Sequence, residues 1–165
     1  MAHTTRESPP DALIVSADTF VALADEVLTK PRDAEDAVTM LTKLRGREHL
    51  VISGLAVLDA GTDRVDVTLV ETRVWMRDYA DAEIRAYVAT GDPLDKAAAY
   101  AIQHSAFSPV ARLEGCYANV MGLPLCHLHR ALRRLGRAGT EPDARCQQHL
   151  HIVCPVARGI LEGGF

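Results

Sequence analysis

Two long β-rich stretches, His49–Leu58 and Arg64–Met76, are separated by only five residues, Asp59-Ala60-Gly61-Thr62-Asp63. Those five are turn formers, so the expectation is an antiparallel hairpin. In the second stretch Val65, Val67 and Leu69 alternate with Asp66, Thr68 and Val70, the period of a half-buried strand. Ahead of the hairpin, Ala12–Ala17 and Phe20–Ala24 read as two strand-like runs separated by the polar pair Asp18-Thr19. Pro31-Arg32-Asp33 then opens a helix: proline suits a first turn, Asp33 can cap, and Ala37, Met40, Leu41 and Leu44 recur at helical spacing up to Gly46.

After the hairpin, Asp81–Ala89 sets Ile84, Tyr87 and Val88 on one helical face, and Gly91-Asp92-Pro93 breaks it. Val110–Leu113 reads as a short strand. Pro124–Leu135 reads as an amphipathic helix with Leu125, Leu128, Leu132 and Leu135 opposite Arg130, Arg133 and Arg134. Strands alternating with helices make the fold class α/β. At 165 residues the chain suits one domain. Its expected organisation is a disordered lead-in over residues 1–10, a body over 11–136 and a tail over 137–165.

A net charge of −4 argues against a broad nucleic-acid surface, though not against a local basic pocket for a small anion. No apolar run is long enough to span a bilayer, and Met1–Pro10 lacks the apolar core of a signal peptide. The expected location is the cytoplasm, with no membrane or nucleic-acid polymer as partner. Cys116, Cys126, Cys146 and Cys154 are accordingly read as free thiols.

Chemistry-bearing residues gather around polar turns. Asp18 follows the apolar run Ala12-Leu13-Ile14-Val15, and Lys30-Pro31 lies on the next segment. Gly91-Asp92-Pro93-Leu94-Asp95-Lys96-Ala97 supplies a second Asp-Lys pair, followed by Tyr100 and Gln103. Carboxylates and ammonium groups so placed suit metal-assisted phosphate chemistry. Taken singly, each has an ordinary reading: Asp18 a turn residue, Lys30 and Lys96 solvated charges, Asp95 the cap of a helix beginning near Lys96, Tyr100 packing.

Several of these blocks in one order resemble the Maf family of nucleoside triphosphate pyrophosphatases. Ser16-Ala17-Asp18-Thr19 resembles the family's Gly-Ala-Asp-Thr strand end, and Lys30-Pro31 with Asp33, Ala34 and Ala37 its Lys-Pro helix start. His49, Ser53 and Gly54, then Glu71-Thr72, match the next strands. Pro93-Leu94-Asp95-Lys96-Ala97, Ala99-Tyr100 and Gln103 match the most distinctive block, and Glu114-Gly115, Asn119-Val120 and Gly122-Leu123-Pro124 complete the series. The resemblance implies a twisted mixed sheet flanked by helices. It also implies hydrolysis of a nucleoside triphosphate to the monophosphate and pyrophosphate. In that reading Asp18 is the proton acceptor, Lys30 and Lys96 hold triphosphate oxygens, and Thr19 and Gln103 help select the base, leaning towards dTTP and UTP. Asp95 contributes to a Mg²⁺ or Mn²⁺ environment, and the chain forms a homodimer.

The resemblance has gaps. The family's opening strand and its Ser-x-Ser-Pro-Arg-Arg loop find no counterpart before Asp11, where Ser8-Pro9-Pro10 echoes only a Ser-Pro. The expectation is an unpaired sheet edge and a weaker grip on triphosphate. The alternative is therefore a catalytically weak or inactive relative with a regulatory role in cell division and septum formation. Ser16 and Ala98 stand where the family has glycines, and His104–Pro109 replaces a glycine-rich turn. In the tail, Cys146, His149, His151 and Cys154 are zinc-ligand types. No Cys-x-x-Cys pair is present, however, and strand alternation would set the histidines and cysteines on opposite faces.

Overall fold

Five strands, β1 (Leu13–Leu23), β2 (Glu26–Leu28), β3 (Glu48–Asp59), β4 (Arg64–Met76) and β5 (Val110–Glu114), form one sheet of order β2-β1-β3-β4-β5. They are seen in a computed structural model that describes residues 9, 12–137 and 139–164. Every described pairing is antiparallel. The reason lies in the connections. Tight turns join β1 to β2 and β3 to β4, and helix α1 (Ala34–Leu44) carries the chain back so that β3 descends beside β1. The expected hairpin closes with Asp59 opposite Arg64. The lead-in over residues 1–10 lies outside the described residues, apart from Pro9, whose carbonyl accepts the Ala12 N–H at 2.9 Å.

One expectation fails at the first strand. Asp18-Thr19 does not interrupt β1, which pairs continuously with β3 from Leu13–Asp59 to Ala22–Leu50. A strand tolerates polar side chains wherever it faces solvent, so polarity alone does not break a ladder. On its other side β1 pairs with β2 only over Val21–Leu23. From Leu13 to Phe20 the outer edge of β1 has no strand beside it among the described residues, the unpaired edge expected above.

Strict alternation along β3 buries His49, Val51, Ser53, Leu55, Val57 and Asp59 on one face, called inner here. Helix α1 packs Ala37, Met40, Leu41 and Leu44 against it, and helix α2 (Asp81–Val88) adds Ile84, Tyr87 and Val88. The α1 start follows its sequence: Asp33 accepts the Asp36 N–H at 2.8 Å, and beyond the helix Gly46 takes a φ of +63°.

Further along, α3 (Tyr117–Val120) and α4 (Leu125–Arg134) cover the rest of the inner face, with Ala131 and Leu135 against Val57. The leucine stripe expected of α4 is only half-buried at Leu125, Leu128 and Leu132, while Cys126, His127 and His129 are buried. The burial of Cys126 reflects a second neighbour, helix α6 (Ala157–Glu162), whose Ala157 and Ile160 pack on it. The tail is helical, not extended. Cys146 and His149 lie on α5 (Asp143–Leu150), and His151 caps it in the left-handed region at φ +53°. Strand alternation therefore does not apply to those four residues. All four cysteines are free thiols.

Nor does a helix begin near Lys96. Residues 92–95 and 97–99 make two short 3₁₀ turns, and Ala98 and Ala99 adopt φ of +56° and +61°. Both alanines are fully buried under the sheet.

Candidate functional site

The β1–β3 register decides where the Asp18-Thr19 pair points. Thr19 is opposite Ser53, an inner-face residue, so Thr19 faces inward and Asp18 faces outward. Thr19 Oγ1 and Ser53 Oγ are 2.7 Å apart. Ser53 in turn reaches the Asn119 carbonyl at 3.5 Å. The Asn119 amide donates to the carbonyls of Val51 and Val70 and to Thr72 Oγ1, all at 3.1–3.2 Å. Thr72 Oγ1 also accepts the Cys116 N–H. Ser53, Thr72 and Asn119 are almost completely buried, so this chain of polar groups ties α3 to the sheet directly beneath Thr19. Gly115 makes it possible: at φ +127°, a Cβ there would come within 2.9 Å of Thr72 Oγ1.

Asp18 is exposed, but its carboxylate is not splayed over the outer face. The Ala12 carbonyl bonds to Ala60 on the β3 side. By the antiparallel alternation, odd-numbered residues of β1 therefore turn their N–H groups to the free edge. Thr19 is one of them, and its N–H donates to Asp18 Oδ1 at 2.9 Å. That bond folds the carboxylate around to the unpaired edge.

The two lysines approach the same region from the adjoining segments. The Ala98 N–H donates to the Thr29 carbonyl at 2.9 Å, pinning the 97–99 turn to the residue before Lys30. That turn also touches β1. Lys30 is exposed, and among the described residues it makes no ion pair. The hydrogen bond and charge of Lys96, with a lesser contribution from the Lys30 charge, hold the Asp95 carboxyl below the usual carboxylate range. Lys96 is held by two carboxylates, Asp95 at 2.5 Å and Asp92 at 3.5 Å, and is pushed up by them. Asp92 is fixed from behind by the Tyr87 hydroxyl at 2.7 Å. Asp95 is thus an ion-pair partner of Lys96, and no group of three or more His, Cys, Asp or Glu side chains able to hold a metal occurs among the described residues. Gln103 is exposed on the 101–107 turn, which packs on α2 through Tyr87, His104 and Phe107.

A family model described as Maf-like protein matches residues 1–135. The chain belongs to the Maf family. Among its relatives, a dTTP/UTP pyrophosphatase of Dictyoglomus thermophilum is 48% identical over 126 residues, 76% of this chain and 65% of that protein. One of Geotalea uraniireducens is 51% identical over 122 residues, 74% of this chain and 63% of its own length. Another, of Geobacter sulfurreducens, is 52% identical over 122 residues, 74% and 64% respectively. This Maf chain thus spans less than two thirds of the length of these curated relatives.

Sequence reasoning found the Maf blocks but not what joins them. Ser53 and Asn119 matched block positions, and Asp92 and Tyr87 were read as a helix break and a helix face. Only the register shows that Ser53 and Thr19 meet, and only the folded turn shows that Tyr87 steadies Asp92 beside Lys96. The available signal was Ser53 itself, a hydroxyl at an inward position between the apolar Val51 and Leu55. No helix among the described residues is long and apolar enough to cross a membrane.

Proposed function

We propose that this chain hydrolyses nucleoside triphosphates, dTTP and UTP foremost, to the monophosphate and pyrophosphate. The observation that carries the reading is the Asp18 carboxylate turned to the open edge of β1 by the Thr19 N–H, with Lys30 and the Lys96 turn on the adjoining segments. That relatives at about half identity are dTTP/UTP pyrophosphatases supports the substrate class.

In this reading Asp18 takes the proton from water as its oxygen attacks the α-phosphorus. The bond from that phosphorus to the α–β bridging oxygen breaks, and pyrophosphate leaves with the electron pair. A positioned base contributes ~10²–10⁴ in rate. Lys30 meets the triphosphate oxygens directly. Lys96 joins it by exchanging a carboxylate of Asp92 or Asp95 for a phosphate oxygen, which costs little for half-exposed ion pairs. Thr19 and Gln103 act in base selection, and Thr19 is oriented for it by Ser53.

With no three-ligand cluster among the described residues, a divalent cation of the magnesium kind would bind here only together with the substrate's phosphate oxygens. Such an ion takes one or two carboxylates and completes its shell with water and phosphate oxygens. Asp18, with Asp95 in support, would hold Mg²⁺ or Mn²⁺ here, and the ion would neutralise charge developing on the phosphates. A second copy of the chain is the protein partner, as a homodimer.

The test is pyrophosphate release by the 165-residue chain from dTTP, UTP, CTP, GTP and ATP with Mg²⁺ or Mn²⁺, beside Asp18→Asn. Turnover that Asp18→Asn abolishes, with the folding unchanged, supports the reading. Full activity in Asp18→Asn removes Asp18 from the role of base. No turnover by the well-folded wild type favours a non-catalytic relative.

A further inference from the structure

We propose that Tyr87 is a positioning residue that locks the turn carrying Lys96 to the turn carrying Gln103, so that phosphate grip and base selection are set together. This role rests on the phosphate and base assignments proposed above. Tyr87 itself is 2% exposed on α2, so it acts through the two turns and not on the substrate.

The Tyr87 hydroxyl is used twice. It accepts the Ala101 N–H at 3.0 Å and donates to Asp92 Oδ2 at 2.7 Å. Burial first, then the Asp92 carboxylate, pushes this hydroxyl up from its ordinary value, so it keeps the proton it donates. The other oxygen of Asp92 lies 3.5 Å from the Lys96 ammonium. A chain of polar contacts therefore runs from the backbone at Ala101, just before Gln103, to Lys96. Thr90 fixes the backbone end of the same path. Its hydroxyl donates to the Tyr87 carbonyl at 2.6 Å and accepts the Asp92 N–H at 3.2 Å.

The ring holds the far end of the Gln103 turn. It stacks on Phe107 with centroids 4.4 Å apart and meets the His104 ring at 4.6 Å. His104 Nδ1 accepts the Phe107 N–H at 3.0 Å, which braces the turn within itself. Gln103 is thus exposed on a turn that one buried side chain grips before and after it. The same arrangement decides which carboxylate releases Lys96. Asp92 is tied to Tyr87, whereas the Asp95 side chain is 76% exposed. Asp95 yields to a phosphate oxygen, and Asp92 keeps the ammonium aimed.

Tyr79 supplies the control. It is equally buried, its hydroxyl donates to the Leu41 carbonyl at 2.8 Å, and its ring meets the same Phe107 at 4.9 Å. Tyr87→Phe and Tyr79→Phe each keep the ring and delete one hydroxyl from the same core, so both should lower Tm. Only Tyr87→Phe should raise KM for dTTP and UTP, by about tenfold, and narrow the ranking of the five triphosphates. Its kcat should stay within about twofold, as for lost ground-state binding.

Equal shifts in KM from both variants would mean a general loosening of the core and overturn the positioning role. An unchanged KM and ranking in Tyr87→Phe overturn it as well, while the Asp18→Asn result still decides the reaction. If the wild type turns over no triphosphate, the proposed reaction fails and calorimetry with the α,β-imido analogue of dTTP decides this role by itself. Weaker binding in Tyr87→Phe but not in Tyr79→Phe upholds it. Equal binding in all three proteins, or none, overturns it.

Discussion

Thr19 on β1 and Ser53 on β3 face each other across the inner side of the sheet with their hydroxyl oxygens 2.7 Å apart. The pair connects the free edge, where Asp18 sits, to the buried network of Asn119 and Thr72. Polar groups beneath it thus anchor that edge, where no strand pairs with it among the described residues.

Ser53→Ala should lower stability by about 1 kcal/mol, the net contribution of one such hydrogen bond. On the proposed reading it should also change the ranking of nucleotides by kcat/KM, because Thr19 loses the group that orients it. The ranking is measured with the five triphosphates in parallel, and an unchanged order would take Thr19 out of base selection.

Lys30→Ala should raise KM for the triphosphate with a stability change within about 0.5 kcal/mol, as expected of an exposed side chain. Thermal denaturation and steady-state kinetics together check this. Unaltered KM and kcat would refute the phosphate assignment.

Ala98 occupies the left-handed region, φ +56°, where a Cβ is unfavourable and glycine is at ease. Ala98→Gly should therefore leave stability unchanged or raise it by up to about 1 kcal/mol. The same substitution at Ala37, equally buried but inside α1, should cost about 1 kcal/mol or more. Melting both variants tests the contrast, and a large loss at Ala98 would show that its methyl packing outweighs the backbone strain.

His49 is 2% exposed and bonds through Nε2 to the Tyr100 hydroxyl at 2.8 Å, and burial pushes it down to about 4 from 6.5. A group depressed on folding stabilises the native state above its unfolded value and loses that contribution as pH falls. Stability should accordingly be full above pH 6.5 and decline between 6.5 and 4, by roughly 3 kcal/mol at most. Urea titrations across this range give the slope. His49→Phe should flatten it, leaving the smaller part due to His127, which burial and the nearby Arg130 and Arg134 also lower. An equally steep slope in the variant would reassign the effect.

Local patterns were legible where local forces decide. The hairpin, α1 with its Asp33 cap, and α2 follow from turn chemistry and apolar spacing, which act over a few residues. The tail was not, because the helical spacing of α5 and α6 is weak over six to eight residues and their packing partners lie on α4. The continuity of β1 through Asp18-Thr19 was missed for a related reason: β3 lies about thirty residues downstream and supplies the ladder.

By itself the sequence determined the strand and helix segments around the site, the ordered blocks that mark the Maf family, and which residues carry charge. Tertiary structure alone decided that Thr19 turns in to Ser53 while Asp18 is drawn to the open edge. It also set Lys96 between Asp92 and Asp95, and left Val65, Val67 and Leu69 bare. The physical reason is register. A strand's alternation assigns side chains to two faces but not which face is covered, and that depends on distant segments packing against it.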